Sequence, residues 1–238
     1  MKRIIFIVWI GLCTMHVEGQ KIAFENIVPN PSFEKVHLNP NGWFYMGSHF
    51  TESIENWSSP TVASPDIFSP IFTIPPNWKR RGFGNPSAKT GNNYIGITVY
   101  GCTNGKPHCR EYVQVKLKEK LVPGQNYKIS MWLSHFKESL LSNNIGVYFS
   151  ENPLWDIGTE TLHLNPHVNE DDIIEVKDGD WIYSRNDFIP EVEYQYLTIG
   201  NFFIDEKTET LASKDQKFNF AYYYIDDISI QKIQPIIP

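Results

Sequence analysis

Helical periodicity is nearly absent from this chain of 238 residues. No stretch repeats apolar residues every three to four positions for long enough to build a bundle, which excludes the all-α architectures. No segment beyond the first twenty residues approaches the ~20 apolar positions that a spanning helix needs, so no transmembrane helix is expected. Positive charge is sparse: the net charge is −6, and Lys79, Arg80 and Arg81 form the one basic cluster. Without a Lys/Arg stripe to neutralise phosphates, nucleic acid is excluded as a partner. The nucleophile elbow GxSxG, the zinc motif HExxH, the P-loop and the dinucleotide fingerprint GxGxxG are all missing, and the histidines are scattered, so no catalytic constellation stands out. Cysteine is limited to positions 13, 102 and 109.

The first of these cysteines falls in a segment that reads as an export signal. Lys2 and Arg3 precede the apolar run IIFIVWIGLC, and Val17-Glu18-Gly19 ends in a small residue suited to cleavage. The expected mature chain, 20–238, is secreted, periplasmic or at the cell surface. Cys102 and Cys109 then remain as an even pair around Asn104-Gly105 and Pro107, and read as a disulfide across a loop. A ring that small adds roughly 2–3 kcal/mol in the chain-entropy picture.

Short alternating runs bounded by Gly, Pro, Asn and Asp fill the rest. They predict strands near 24–34, 93–100, 110–118, 126–137, 143–150, 181–189, 194–203 and 218–232. Pro123-Gly124 is a turn between two of them. In YKISMWLSHF, residues Tyr127, Ile129, Met131 and Leu133 share one face. WIYSRNDF and YQYLTIGNFF read as a strand pair joined through IPEVE. The fold class is all-β: one two-sheet antiparallel jelly-roll sandwich with long loops at 35–56, 58–92, 101–109, 151–180 and 204–217.

The last strand, AYYYIDDISI, places two aspartates among apolar residues. Strict alternation puts Tyr222, Tyr224, Asp226, Ile228 and Ile230 on one face, the better core face, so Asp226 points inward and Asp227 outward. A buried carboxylate needs a partner. Jelly rolls often lay their first and last strands side by side, which would bring Glu34 of NIVPNPSFE, with oxygens around Asn30, to Asp226. Such an all-oxygen set suits Ca²⁺. Two other readings stay open: an Asp hydrogen-bonded to amides or a tyrosine, and a glycosidase acid/base pair made of Glu34 and Asp226.

NIVPNPSFE with a distant YYIDDISI resembles the two ends of galactose-binding-like jelly rolls, including calcium-bearing carbohydrate-binding modules. The ordered series Trp57, SPDIF, IPPN, GNNYIGITVYG, REYVQVKL, LVPGQNYKISMWLS, NNIGVYFS, YLTIGNF and AYYYIDDISI resembles a lectin-like domain of secreted Gram-negative envelope proteins. That domain is often found in front of OmpA-like domains. The resemblance implies a structural calcium held by Glu34 and Asp226. It also implies a non-catalytic module for carbohydrate or envelope glycan. Sugars stack on exposed rings and hydrogen-bond to nearby polar groups. The candidate platforms are Trp43, Tyr45, Trp78 and Trp155, with Arg80 beside Trp78, whereas Trp57, Trp132 and Trp181 read as core. The alternative function is a structural or assembly protein of the envelope that docks a protein partner through the same sandwich.

Overall fold

The computed structural model describes residues 25–37, 46–101, 109–177 and 179–233. The export signal, Trp43, Tyr45 and Cys102 lie outside the described residues. The chain runs through α1 (Gly47–Ser53), β1 (Trp57–Ser58), β2 (Asp66–Phe68), α2 (Pro76–Lys79), β3 (Tyr94–Tyr100), β4 (Val113–Leu121) and β5 (Tyr127–His135). It continues through β6 (Leu141–Ser142), β7 (Gly146–Ser150), β8 (Val168–Asn169), β9 (Ile182–Phe188), β10 (Tyr194–Gly200), β11 (Thr210–Leu211) and β12 (Ala221–Lys232). Two five-stranded antiparallel sheets result, in the orders β1-β4-β10-β7-β8 and β2-β3-β12-β5-β9. This is the expected all-β jelly-roll sandwich.

The core between the sheets follows the alternation of the strands. Ile129, Met131 and Leu133 of β5 face Val113, Val115 and Leu117 of β4 across it, with Ile95, Ile97 and Val99 of β3. Pro123 and Gly124 turn the chain between β4 and β5, and Gly124 has φ +76°, a conformation that costs a glycine little.

The described part of the expected first strand, 24–34, is instead a run of turns. Asn30 and Phe33 have positive φ, and Asn30 Oδ1 accepts the Lys35 amide at 3.0 Å. Two prolines in VPNPS remove the amides that a ladder needs. The two ends of the domain nevertheless meet. Ile27 donates its amide to Ile230 O at 3.1 Å and accepts from Lys118 N at 3.0 Å, so this one residue bonds to both sheets. The expected pairing of WIYSRNDF with YQYLTIGNFF is also corrected. β9 pairs with β5 in the second sheet and β10 with β4 and β7 in the first, so the Pro190 segment crosses between sheets. Phe188 stacks on Phe149 of β7 at 5.0 Å, which places β9's last ring over the opposite sheet.

A second apolar cluster lies on the outer face of the second sheet. Phe68, Tyr94, Tyr222 and Tyr224 point away from the main core and are covered by the 69–92 loop through Phe83, with Phe136 alongside. The alternation of β12 therefore differs from expectation. Tyr223 and Ile225 enter the main core, whereas Tyr222, Tyr224 and Asp226 face outward beneath the loop. Ile228 and Ile230 return to the main core because a bulge intervenes. Asp226 pairs with Trp132 and Ser229 with Ser130, so β12 spends one residue more than β5, and Asp227 has φ +51°.

Candidate functional site

The covering loop stops part-way across the second sheet, at Lys89. Beyond it the outer face is open. Alternation on β5 sends Lys128, Ser130 and Trp132 to this face, and their cross-strand partners on β9 are Asp187, Arg185 and Tyr183. On the other side, Gln231 and Ser229 of β12 stand opposite Lys128 and Ser130. The Trp132 and Tyr183 rings lie 5.0 Å apart at 49°, with Tyr183 48% exposed. Lys128, Ser130, Trp132, Tyr183, Ser229 and Gln231, with Asp227 at the bulge, line a depression of about 250 Å³, and Arg185 and Asp187 stand on the same face outside it. Trp132, read as core from the sequence, is thus a surface ring. Lys89 holds its ammonium 3.6 Å from the Trp132 ring centre.

The arrangement offers an aromatic step of two rings, then a band of donors and acceptors on rigid strands. Arg185 and Asp187 pair at 3.6 Å, both half-exposed, which leaves each able to exchange its partner for a ligand hydroxyl. From the sequence Trp132 reads as core and Tyr183 has no assigned role. The signal was there: once Ile129, Met131 and Leu133 are assigned inward, Trp132 must point outward.

The expected metal ligands fall at the edge of this face. Asp226 is buried under the loop. Its Oδ2 accepts the amides of Lys89 at 2.8 Å and Thr90 at 3.2 Å, and its Oδ1 accepts the Asp227 amide at 2.7 Å. Burial pushes its carboxyl up to about 7, against the pull of these amides. Glu34 closes on the other end of the same loop, with Oε1 accepting Asn92 N at 2.9 Å and Asn93 N at 2.8 Å. Gly91, φ +63°, lies so close to this carboxylate that a Cβ there would collide with it. Asp227 does not simply face solvent: Oδ1 accepts Thr90 Oγ1 at 2.7 Å and the Ser32 hydroxyl.

These donors are all oxygen, and among the described residues no cation acts on the buried Asp226 carboxylate, which fits a hard ion. Asn30 does not fit. Its side chain is spent on Lys35 and Glu55, and its carbonyl accepts Trp57 Nε1 at 3.0 Å. Among the described residues no group of three or more His, Cys, Asp and Glu side chains is positioned to hold a metal. An ion at Glu34 and Asp226 would need main-chain oxygens for the rest of its shell.

The loop tryptophans fare differently from one another. Trp78, on α2, is half-buried and stacks on Phe218 at 5.2 Å and against Phe83 at 5.3 Å, as part of the second cluster. Arg80 follows it on an exposed turn. Trp155 stands 74% exposed, beside Leu154, whose amide bonds to Gln114 of the first sheet. Trp57 is core, as expected, and Trp181 packs on Tyr94 and donates Nε1 to Ser87 O at 2.9 Å.

Among the described residues no helix is long and apolar enough to cross a membrane. The chain matches no family model and no curated protein. It is similar in fold to the CBM22-1 xylan-binding domain of Xyn10C from Paenibacillus barcinonensis, at 11% identity over 76% of this chain and 88% of that one, with TM-score 0.40. The K1 cleaved adhesin domain of Lys-gingipain from Porphyromonas gingivalis gives 14%, 76%, 92% and 0.42. TmCBM61 in complex with β-1,4-galactotriose gives 11%, 88%, 99% and 0.36. At such identities and scores, these likenesses do not specify what this chain binds.

Proposed function

We propose that this protein is a secreted, non-catalytic carbohydrate-binding module whose ligand lies across the open outer face of the second sheet. The observation that carries the reading is the Trp132–Tyr183 step followed by Ser130, Arg185, Asp187 and Gln231 on the same face. Rings meet the apolar face of a pyranose, and the polar band meets its hydroxyls. The sequence-based platform at Trp78 is a weaker support, because that ring is engaged in packing. A glycan array on the mature chain tests the reading. Trp132→Ala and Tyr183→Ala should each weaken binding at least about tenfold, a loss of about 1.4 kcal/mol, with melting curves near wild type. Binding that survives both substitutions refutes this site.

The same reading includes a structural calcium at Glu34 and Asp226, a bridged Cys102–Cys109 pair, and a place in a bacterial envelope. Chelation with EDTA should lower the melting temperature of the wild type, and Asp226→Ala should remove that sensitivity. A wild-type melting curve that EDTA leaves unmoved removes the ion from the account. A second reading, docking of a protein, is favoured by one observation: the solvent-exposed pair Trp155 and Ile157.

A further inference from the structure

The Trp132 ring is flanked from both neighbouring strands. Its cross-strand partner on β9 is Tyr183, whose ring leans on it at 5.0 Å and 49°. Its partner on β12 is Asp226, whose Oδ2 accepts the Lys89 amide at 2.8 Å. That bond brings Lys89 in from the β12 side, and the Lys89 ammonium lies 3.6 Å from the centre of the Trp132 ring. At that distance the cation sits on the π-face itself, where the ring quadrupole is most negative. One face of Trp132 is therefore already occupied by the chain's own side chain. A pyranose needs such a face, because stacking lays its C–H groups flat against the π-system.

The backbone of this contact is fixed, and the side chain is not. Lys89 and Thr90 both donate their amides to Asp226 Oδ2, at 2.8 and 3.2 Å, and Thr90 Oγ1 donates to Asp227 Oδ1 at 2.7 Å. The Lys89 side chain is exposed, and its ammonium makes no ion pair or hydrogen bond with a described residue. Its flexible four-carbon stem lets it leave the ring by a rotamer change, with no movement of the loop. The other cations of this face are placed elsewhere on the ladder. Lys128 stands opposite Asp187, and Arg185 pairs with Asp187 at 3.6 Å. An exposed cation–π contact is weak enough for a stacking sugar to displace and strong enough to be felt in the affinity.

We propose that Lys89 is a built-in competitor for the carbohydrate site: its ammonium closes the Trp132 face in the free chain, and a sugar ring binds by displacing it. This rests on the carbohydrate reading of the face. The apparent affinity is lowered by the fraction of molecules in which the ring is closed. Removing the ammonium therefore raises affinity, the reverse of what a lysine in contact with the sugar would show.

Two measurements test this. In carbon-resolved proton spectra of the free chain, the Lys89 ε-methylene should be shifted upfield by the indole ring current, and Trp132→Ala should return it to the ordinary lysine position. Saturation with the oligosaccharide bound tightest on the glycan array should return it likewise. By calorimetry, Lys89→Ala should bind that oligosaccharide about two- to fivefold tighter than wild type. This variant trims an exposed side chain and keeps the amide on Asp226, so its melting curve should match wild type. A methylene at the ordinary position in the free chain overturns the proposal, as does one that stays upfield in the saturated complex. Equal or weaker binding by Lys89→Ala overturns it too, and weaker binding makes Lys89 a sugar contact. In each of these cases glycan binding persists and the carbohydrate reading stands. A chain that binds no glycan, with or without the Lys89 side chain, overturns the carbohydrate reading and this proposal together.

Discussion

Asp66 on β2 is buried, and its Oδ2 accepts the Tyr222 hydroxyl at 2.7 Å. Glu111, whose Oε2 accepts the Thr98 amide at 2.7 Å, lies close enough that Asp66 adds to the upward push burial gives its carboxyl. Burial raises Asp66 itself from 3.8 to about 7, with the Tyr222 hydrogen bond offsetting part of the shift. The unfolded chain ionises this group near its ordinary value, so the fold favours the protonated form. Its stabilising contribution is complete below about pH 4 and is lost as pH rises towards 7. Asp66→Asn keeps an acceptor for Tyr222 and removes the charge. Its melting temperature at pH 8 should exceed that of the wild type by at least about 3 °C, the shift that 1 kcal/mol gives in a chain of this size. The advantage should vanish near pH 4. An Asn variant that melts lower than wild type at pH 8 contradicts this account. Nothing in SPDIF signalled such a site from the sequence. Its hydrogen-bond partner is Tyr222, a residue 156 positions away.

At the scale of elements, alternation was legible wherever a strand is regular and failed where it is not. YKISMWLSHF gave its inward face correctly, and the same rule, read for the other face, points to Trp132. AYYYIDDISI broke the rule at Asp227, whose left-handed conformation and extra ladder position reverse the facing of everything after it. Asp is among the residues that tolerate that conformation, yet no local pattern says that this one adopts it. Deleting Asp227 would close the bulge. Ile228 would then stand alone opposite Met131, with Ser229 still opposite Ser130, so Ile228 and Ile230 keep their core facing while the Ser32 and Thr90 hydroxyl contacts are lost. The deletion variant should therefore still unfold cooperatively by circular dichroism, at a lower melting temperature than wild type. A deletion variant that loses cooperative unfolding would show that facing after the bulge is not set by ladder position.

At the scale of the molecule, seven of the eight expected strands lie within a few residues of an observed one, 24–34 and the short strands β1, β2, β6, β8 and β11 were not legible, and neither were the strand partners. β9 and β10 are neighbours in sequence and lie in different sheets, with Phe188 and Tyr194 both packed against the shared core. The meeting of the two ends was legible from the jelly-roll expectation, and Ile27 on Ile230 and Asn26 on Ile228 carry it, whereas Asp226 takes the partners of the alternative reading, backbone amides. The common contact of Glu34 and Asp226, the 89–93 loop, was not legible: its role rests on backbone amides, which every sequence possesses.

The last strand has a consequence for how the chain is made. β12 lies in the middle of its sheet, between β3 and β5, and it leaves the ribosome after every other strand of the two sheets. Until it arrives, both of its neighbours wait with unpaired edges, and Asn26 waits for Ile228, 202 positions later. Such long-range pairing makes folding slow and leaves the nascent chain open to wrong partners. Truncation before residue 221 would remove the keystone of the sheet rather than trim its border, leaving two half-sheets with nothing between them.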